Sequence, residues 1–176
     1  MNDVYTSVFE LIDMRSFSNL WYWIALAVMW STASHWVLGV PFDMVSRARK
    51  YGGQTMIDLE DLTRINVNRL LFIGRMAGIW LVAVFCFILS GLFTAGFVLA
   101  NEFAQATFLL VFPLSIIWLL SVNTAKLIEM QELHGEALCR RITRHRFHIQ
   151  VLGILFIFVT AMWGMYQNFS MGVLGR

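Results

Sequence analysis

MAGIWLVAVFCFILSGLFTAGFVLAN, residues 76–101, contains no aspartate, glutamate, lysine or arginine. A hydrocarbon core about 30 Å thick is crossed by about 20 apolar helical residues, so this stretch is long enough to span a membrane. Three further charge-free stretches lie at residues 16–42, 103–125 and 147–175. The sequence therefore predicts an all-α, polytopic membrane protein with four transmembrane helices.

The composition agrees with this fold class. Hydrophobic residues make up 59% of the 176 residues and charged residues 14%, against about 25% charged residues in an average soluble domain. The length allows one domain, residues 1–176, and we place the spans at about 17–42, 76–100, 103–125 and 148–170. The net charge of +2 gives no reason to expect a nucleic-acid partner.

Basic residues are concentrated in two segments, 43–75 and 126–146. Both segments lie on one side of the membrane if all four stretches span it. Cytoplasmic loops carry the excess of lysine and arginine in membrane proteins, so this side is predicted to be the cytoplasm. Both termini are then outside, and the acidic residues near the N-terminus are not those of a cleaved signal peptide.

Two helices are predicted at the membrane surface. Apolar residues recur at helical spacing within residues 4–12, which predicts an N-terminal amphipathic interfacial helix on the outer side. Residues 55–70 have an apolar face leading into the second span, which predicts a cytoplasmic surface helix. The third span is predicted to continue as a helix beyond the membrane, with a break at Gly135.

A polar seam lies in the cytoplasmic half of the first span. Polar side chains are costly in lipid and often mark function. The seam consists of Ser31, Thr32, Ser34 and His35. One hypothesis is that the seam, with Asn123, lines a homo-oligomeric channel or carrier. Another is a small haem-b-binding redox protein, with His35 and His148 as the iron ligands.

The cytoplasmic segments supply a candidate docking surface. Anionic lipid headgroups attract basic segments near a membrane, and an acidic partner protein is the alternative. Seven residues form this basic set: Arg47, Arg49, Lys50, Arg140, Arg141, Arg144 and Arg146.

We find no catalytic constellation in the sequence. It has no phosphate-binding glycine loop, no histidine pair at zinc-binding spacing and no GxSxG nucleophile turn. Cys86 and Cys139 are predicted at different depths, which disfavours a disulfide, and two thiols do not make an iron–sulfur site. We therefore predict a non-enzyme without a metal or other cofactor.

The stretch IDMRSFSNLWYWIALAVMWSTASHWVLGVPFDMV, residues 12–45, is followed by RARKYGG at 47–53, DLEDL at 58–62 and VNR at 67–69. These segments resemble a family of small membrane proteins from alphaproteobacteria of the Rhodobacter and Roseobacter type, often labelled "component of SufBCD complex". The resemblance implies a bacterial inner-membrane location and no established activity.

Small size and methionine-rich, aromatic spans are typical of a packing role. The sequence thus predicts an accessory or scaffold subunit of a larger bacterial inner-membrane complex, with a respiratory or photosynthetic complex as the candidate. Its predicted partners are membrane lipids and either other membrane proteins or further copies of itself.

Overall fold

The computed structural model describes Phe17 and residues 19–174, with side chains described through Phe169. This part of the chain forms five α-helices and one two-stranded hairpin. The elements are α1 Leu20–His35, β1 Trp36–Val37, β2 Val40–Pro41, α2 Phe42–Tyr51, α3 Gln54–Phe93, α4 Glu102–Met130 and α5 Gly135–Leu174, with a π-helical turn, Thr94–Val98, after α3. The amphipathic helix predicted within residues 4–12 lies outside the described residues.

Three helices are long and apolar enough to cross a membrane: Gln54–Val98, Glu102–Met130 and Gly135–Phe169. A 40-residue helix is about 60 Å long, twice the thickness of the hydrocarbon core, so much of α3 and α5 extends beyond it. The charge-free parts, 76–98, 103–125 and 147–169, are the parts suited to lipid. We call the end of the bundle that carries segments 43–75 and 126–146 the basic end.

The first helix is shorter than the first predicted span. We predicted a helix through residue 42, whereas α1 ends at His35 and residues 36–41 form an antiparallel hairpin. The turn places Leu38 and Gly39 at positive φ (55° and 75°), a conformation that ends a helix. Hydropathy did not reveal this turn because the hairpin is itself apolar, with Val37 and Val40 fully buried.

The surface helix predicted at 55–70 is not a separate element, because α3 continues from Gln54 into the second span without a break. The residues that α3 buries, Leu59, Thr63, Val67 and Leu71, are spaced four apart and so share one face. This face packs into a core at the basic end. That core also holds Val37, Val40, Val45, Ala48, Ala125, Ile128, Leu138, Cys139 and Ile142.

Helix α1 packs antiparallel along α5. At the basic end, Arg146 Nε donates to the Ser34 carbonyl oxygen over 3.1 Å. Near the other end, Trp23 lies beside Gly164. The 18 residues of α5 from Arg146 to Gly164 rise about 27 Å at 1.5 Å per residue. Helix α1 has 16 residues and rises about 24 Å, so it is shorter than this part of α5 and than the hydrocarbon core.

The turn between α4 and α5 lies close to its predicted place. Helix α4 ends at Met130 and α5 begins at Gly135, whose φ is 55°. Glu60 of α3 accepts a hydrogen bond from the Gly135 N–H over 2.6 Å, so its carboxylate satisfies a free donor at the start of α5. This contact fixes the turn against α3.

Candidate functional site

The polar seam lies on the outward face of α1. Ser31, Thr32 and His35 are exposed, and Ser34 is half-buried with its hydroxyl donating to the Ser31 carbonyl oxygen over 3.0 Å. The opposite face of α1 carries the residues that this helix buries: Tyr22, Leu26 and Trp30. Ser31, Thr32 and His35 are thus presented away from the bundle, whereas Ser34 lies beside α5.

Two hypotheses concern this seam: that it lines a channel or carrier together with Asn123, and that His35 and His148 bind a haem iron. Ser31 and Ser34 border an open groove between α1 and α5, whereas Asn123 is exposed on α4. The His35 ring lies 6.0 Å from that of Trp36, and the exposed His148 ring lies 6.4 Å from that of Phe147. Within the described residues, no group of three or more His, Cys, Asp or Glu side chains is placed to hold a metal ion.

The histidine that the structure buries is His145, which the sequence did not single out. Its side chain is 2% exposed and lies between two hydroxyls of α4, with Nε2 3.1 Å from Ser121 Oγ and Nδ1 3.1 Å from Thr124 Oγ1. Burial, aided by nearby His148 and Arg141, lowers the pKa of His145 to about 4. The imidazole is therefore neutral at pH 7 and joins α4 to α5 just outside the charge-free part of α5.

The structure brings two basic segments together on one carboxylate. Arg49 of α2 and Arg140 of α5 both donate to Glu136 Oε1, over 3.0 and 3.3 Å. Arg47 instead pairs with Asp43 on its own helix over 2.9 Å. Of the predicted docking residues, Arg49 and Arg140 therefore meet at one carboxylate at the basic end, and Arg47 already has a partner of its own.

Three arginines of this surface line an open groove of about 450 Å³: Arg140, Arg141 and Arg144, together with Gln131 and Glu136. Arg141 Nε is buried and makes no hydrogen bond to the described residues. Three guanidinium groups beside one carboxylate leave the groove positively charged. It is suited to attracting anions such as lipid phosphates.

Two other predicted docking residues have local roles. The Arg146 guanidinium lies 3.7 Å above the Phe42 ring while its Nε bonds to Ser34, so Arg146 connects α5 to α1 and α2. Lys50 lies 5.2 Å from the centre of the neighbouring Tyr51 ring. Arg146 is thus a packing residue as much as a surface charge.

A second polar network that the sequence analysis missed lies at the opposite end of the bundle. Gln105, 4% exposed, donates to the Gly96 carbonyl oxygen over 2.8 Å and accepts from Trp163 Nε1 over 3.0 Å. Gly96 belongs to the π-helical turn, so Gln105 joins the ends of three spans. Nearby, the buried Glu102 carboxylate accepts the Phe17 N–H over 2.8 Å.

A search of protein-family models, curated proteins and solved structures found no match to this chain.

Proposed function

We propose that this chain is a non-catalytic accessory or scaffold subunit of a larger complex in the bacterial inner membrane, with a respiratory or photosynthetic complex as the candidate. The observation that carries the proposal is the outward polar seam: Ser31, Thr32 and His35 are exposed on α1. Lipid chains offer polar groups no hydrogen-bond partners, and polar residues in spans usually face protein. A neighbouring protein that covers this face would provide those partners.

The outward face of α1 has the form of a helix-docking stripe. Ile24 and Val28, 54% and 59% exposed, lie on the same face as Ser31 and His35, since these residues are spaced four, three and four apart. A helix face that is apolar in one half and carries small polar residues in the other is typical of contacts between membrane helices, where hydroxyl groups form hydrogen bonds across the interface. A partner helix lying along α1 fits this pattern.

Docking at membrane depth requires α1 to span, and we propose the four-span arrangement with both termini outside. The support is the antiparallel packing of α1 against the charge-free part of α5, from the Ser34–Arg146 bond to the Trp23–Gly164 contact. The resemblance to alphaproteobacterial membrane proteins supports the inner-membrane location.

We expect reporter fusions to place the two termini on the same side. An alkaline phosphatase fusion at either terminus should be active, because phosphatase folds only outside the cytoplasm, and one inserted between Gly52 and Gly53 should be inactive. Green fluorescent protein fusions at the same three positions provide the complementary readout. Termini on opposite sides would contradict spanning by α1.

We expect the double substitution Ser31→Leu, Thr32→Leu to reduce partner recovery about eightfold, because an interhelical hydrogen bond in a membrane contributes about 0.6 kcal/mol on average and two would be lost. The measurement is quantitative mass spectrometry of proteins co-purified with the tagged chain at native expression. The matched control is Ser90→Leu, since Ser90 is an exposed α3 serine whose hydroxyl already bonds to the Cys86 carbonyl oxygen over 2.7 Å. Equal recovery from both variants would contradict docking on the seam.

A second copy of the chain on the same seam is the competing arrangement, and it corresponds to a homo-oligomeric channel or carrier. A photo-cross-linking amino acid at Thr32 separates the two. An adduct of twice 20.3 kDa would indicate self-association, whereas one defined adduct of another mass supports a foreign subunit. A Soret absorption band in the purified protein would instead support the haem hypothesis.

A further inference from the structure

Two glycines leave an open notch in α3 at the basic end of its charge-free part. Gly74 and Gly78 lie one turn apart on the same face, and no atom lies within 4 Å of where a Cβ would stand on either. In membrane helices this spacing commonly allows close helix contact. Here it opens instead into a groove of about 500 Å³, whose α4 wall includes Trp118 and Val122.

The groove has charged residues at its mouth. Arg75 Nη2 donates to the two carboxylate oxygens of Glu129 over 2.8 and 2.6 Å, so the two charges neutralise each other. Lys126 also lines the groove, is exposed, and enters no ion pair with any residue that the structure describes. One uncompensated positive charge therefore remains, immediately beyond the charge-free residues 103–125.

We propose that this groove binds one anionic phospholipid, with an acyl chain in the glycine notch and the phosphate at Lys126. The apolar walls run from Leu71 to Val82 along α3 and so extend into the hydrocarbon layer. The ammonium group lies where the charge-free part of α4 ends, which is the depth of lipid phosphates. An apolar groove with one unpaired cation at its mouth is complementary to a lipid that has an apolar acyl chain and an anionic phosphate.

The same chemistry predicts a headgroup preference. Phosphatidylglycerol brings one negative charge to Lys126 and no positive one. Phosphatidylethanolamine brings its own ammonium group next to Lys126, where like charges repel. We therefore expect the wild-type protein to bind phosphatidylglycerol about fivefold more tightly, and the Lys126→Gln variant to lose that preference.

The test is native mass spectrometry of the full-length protein in detergent, titrated with phosphatidylglycerol. Gly78→Leu fills the notch and should weaken binding at least tenfold, whereas Lys126→Gln should weaken it about fivefold. The matched control is Gly91→Leu, on the same helix and with equally open surroundings but outside the groove. Gly91→Leu raises the helix propensity as much as Gly78→Leu does, and it should bind phosphatidylglycerol with the wild-type affinity.

Competition experiments on the wild-type protein test the proposal without relying on the folding of any variant. Glycerophosphoglycerol, which has the headgroup without acyl chains, and inorganic phosphate should both fail to displace the lipid. Displacement by either would overturn the role of the notch and indicate a free-anion site. Unchanged affinity in Gly78→Leu, or an equal loss in Gly91→Leu, would show binding to the general lipid shell and would also overturn the proposal.

Discussion

Replacing Gly153 by leucine is expected to destabilise the folded protein by about 3 kcal/mol, because overpacking a tight site costs about 1–3 kcal/mol and here displaces a whole helix. A Cβ at Gly153 would stand 2.9 Å from Cε3 of Trp30. Trp30 is 6% exposed and packs with Leu26 and Ile149, so its ring has little room to move. The measurement is thermal and denaturant-induced unfolding of the purified protein in detergent.

The control for this prediction is again Gly91→Leu, where no atom lies within 4 Å of the added Cβ. It should raise the free energy of unfolding by no more than about 1 kcal/mol, the difference in helix propensity between leucine and glycine. The double variant Gly153→Leu, Trp30→Ala should lose less stability than the sum of the two single losses if the clash is between these two side chains. A wild-type midpoint in Gly153→Leu would contradict the packing of α1 on α5.

Replacing Gln105 by leucine is expected to cost about 3 kcal/mol. The change removes the acceptor for Trp163 Nε1 and the donor to the Gly96 carbonyl oxygen. A buried polar group that loses its partner costs about 1–3 kcal/mol, and lipid supplies no replacement. Unfolding of the purified protein in detergent measures the loss.

Gln150→Leu is the matched control, because Gln150 is an exposed glutamine in the charge-free part of α5. It should leave the unfolding midpoint within about 0.5 kcal/mol of the wild type. Gln105→Glu should be intermediate, since burial favours the neutral carboxyl, which still accepts from Trp163 and can donate to Gly96 at the cost of protonation. A Gln105→Leu protein as stable as the wild type would show that the network does not hold the spans together.

The long helices were predictable because charge-free length is the dominant signal of a membrane span. The helices Gln54–Val98, Glu102–Met130 and Gly135–Phe169 contain the predicted third span and all but the last one or two residues of the predicted second and fourth. The break at Gly135 was also predictable, since a glycine in a polar segment permits the positive φ that it adopts. The hairpin at 36–41 was not, because hydropathy does not distinguish an apolar turn from an apolar helix.

The polar contacts could not be predicted from the sequence, for a different reason. In the sequence His145 is surrounded by arginines, which is typical of a solvent-exposed residue. It is buried between Ser121 and Thr124 only because α4 packs on α5. Gln105 and Glu60 likewise act on partners that are distant in sequence or on other helices. The outward direction of the seam was hidden because apolar residues occur on every face of α1.

The central claim is that the chain functions as one subunit among others, and the most direct measurement is its composition at native levels. The tagged protein would be drawn from its own membranes in mild detergent, and its partners quantified by mass spectrometry. We predict a stoichiometric set of other membrane subunits. Recovery of this chain alone, as a defined oligomer, would contradict the accessory role and favour the homo-oligomeric channel or carrier.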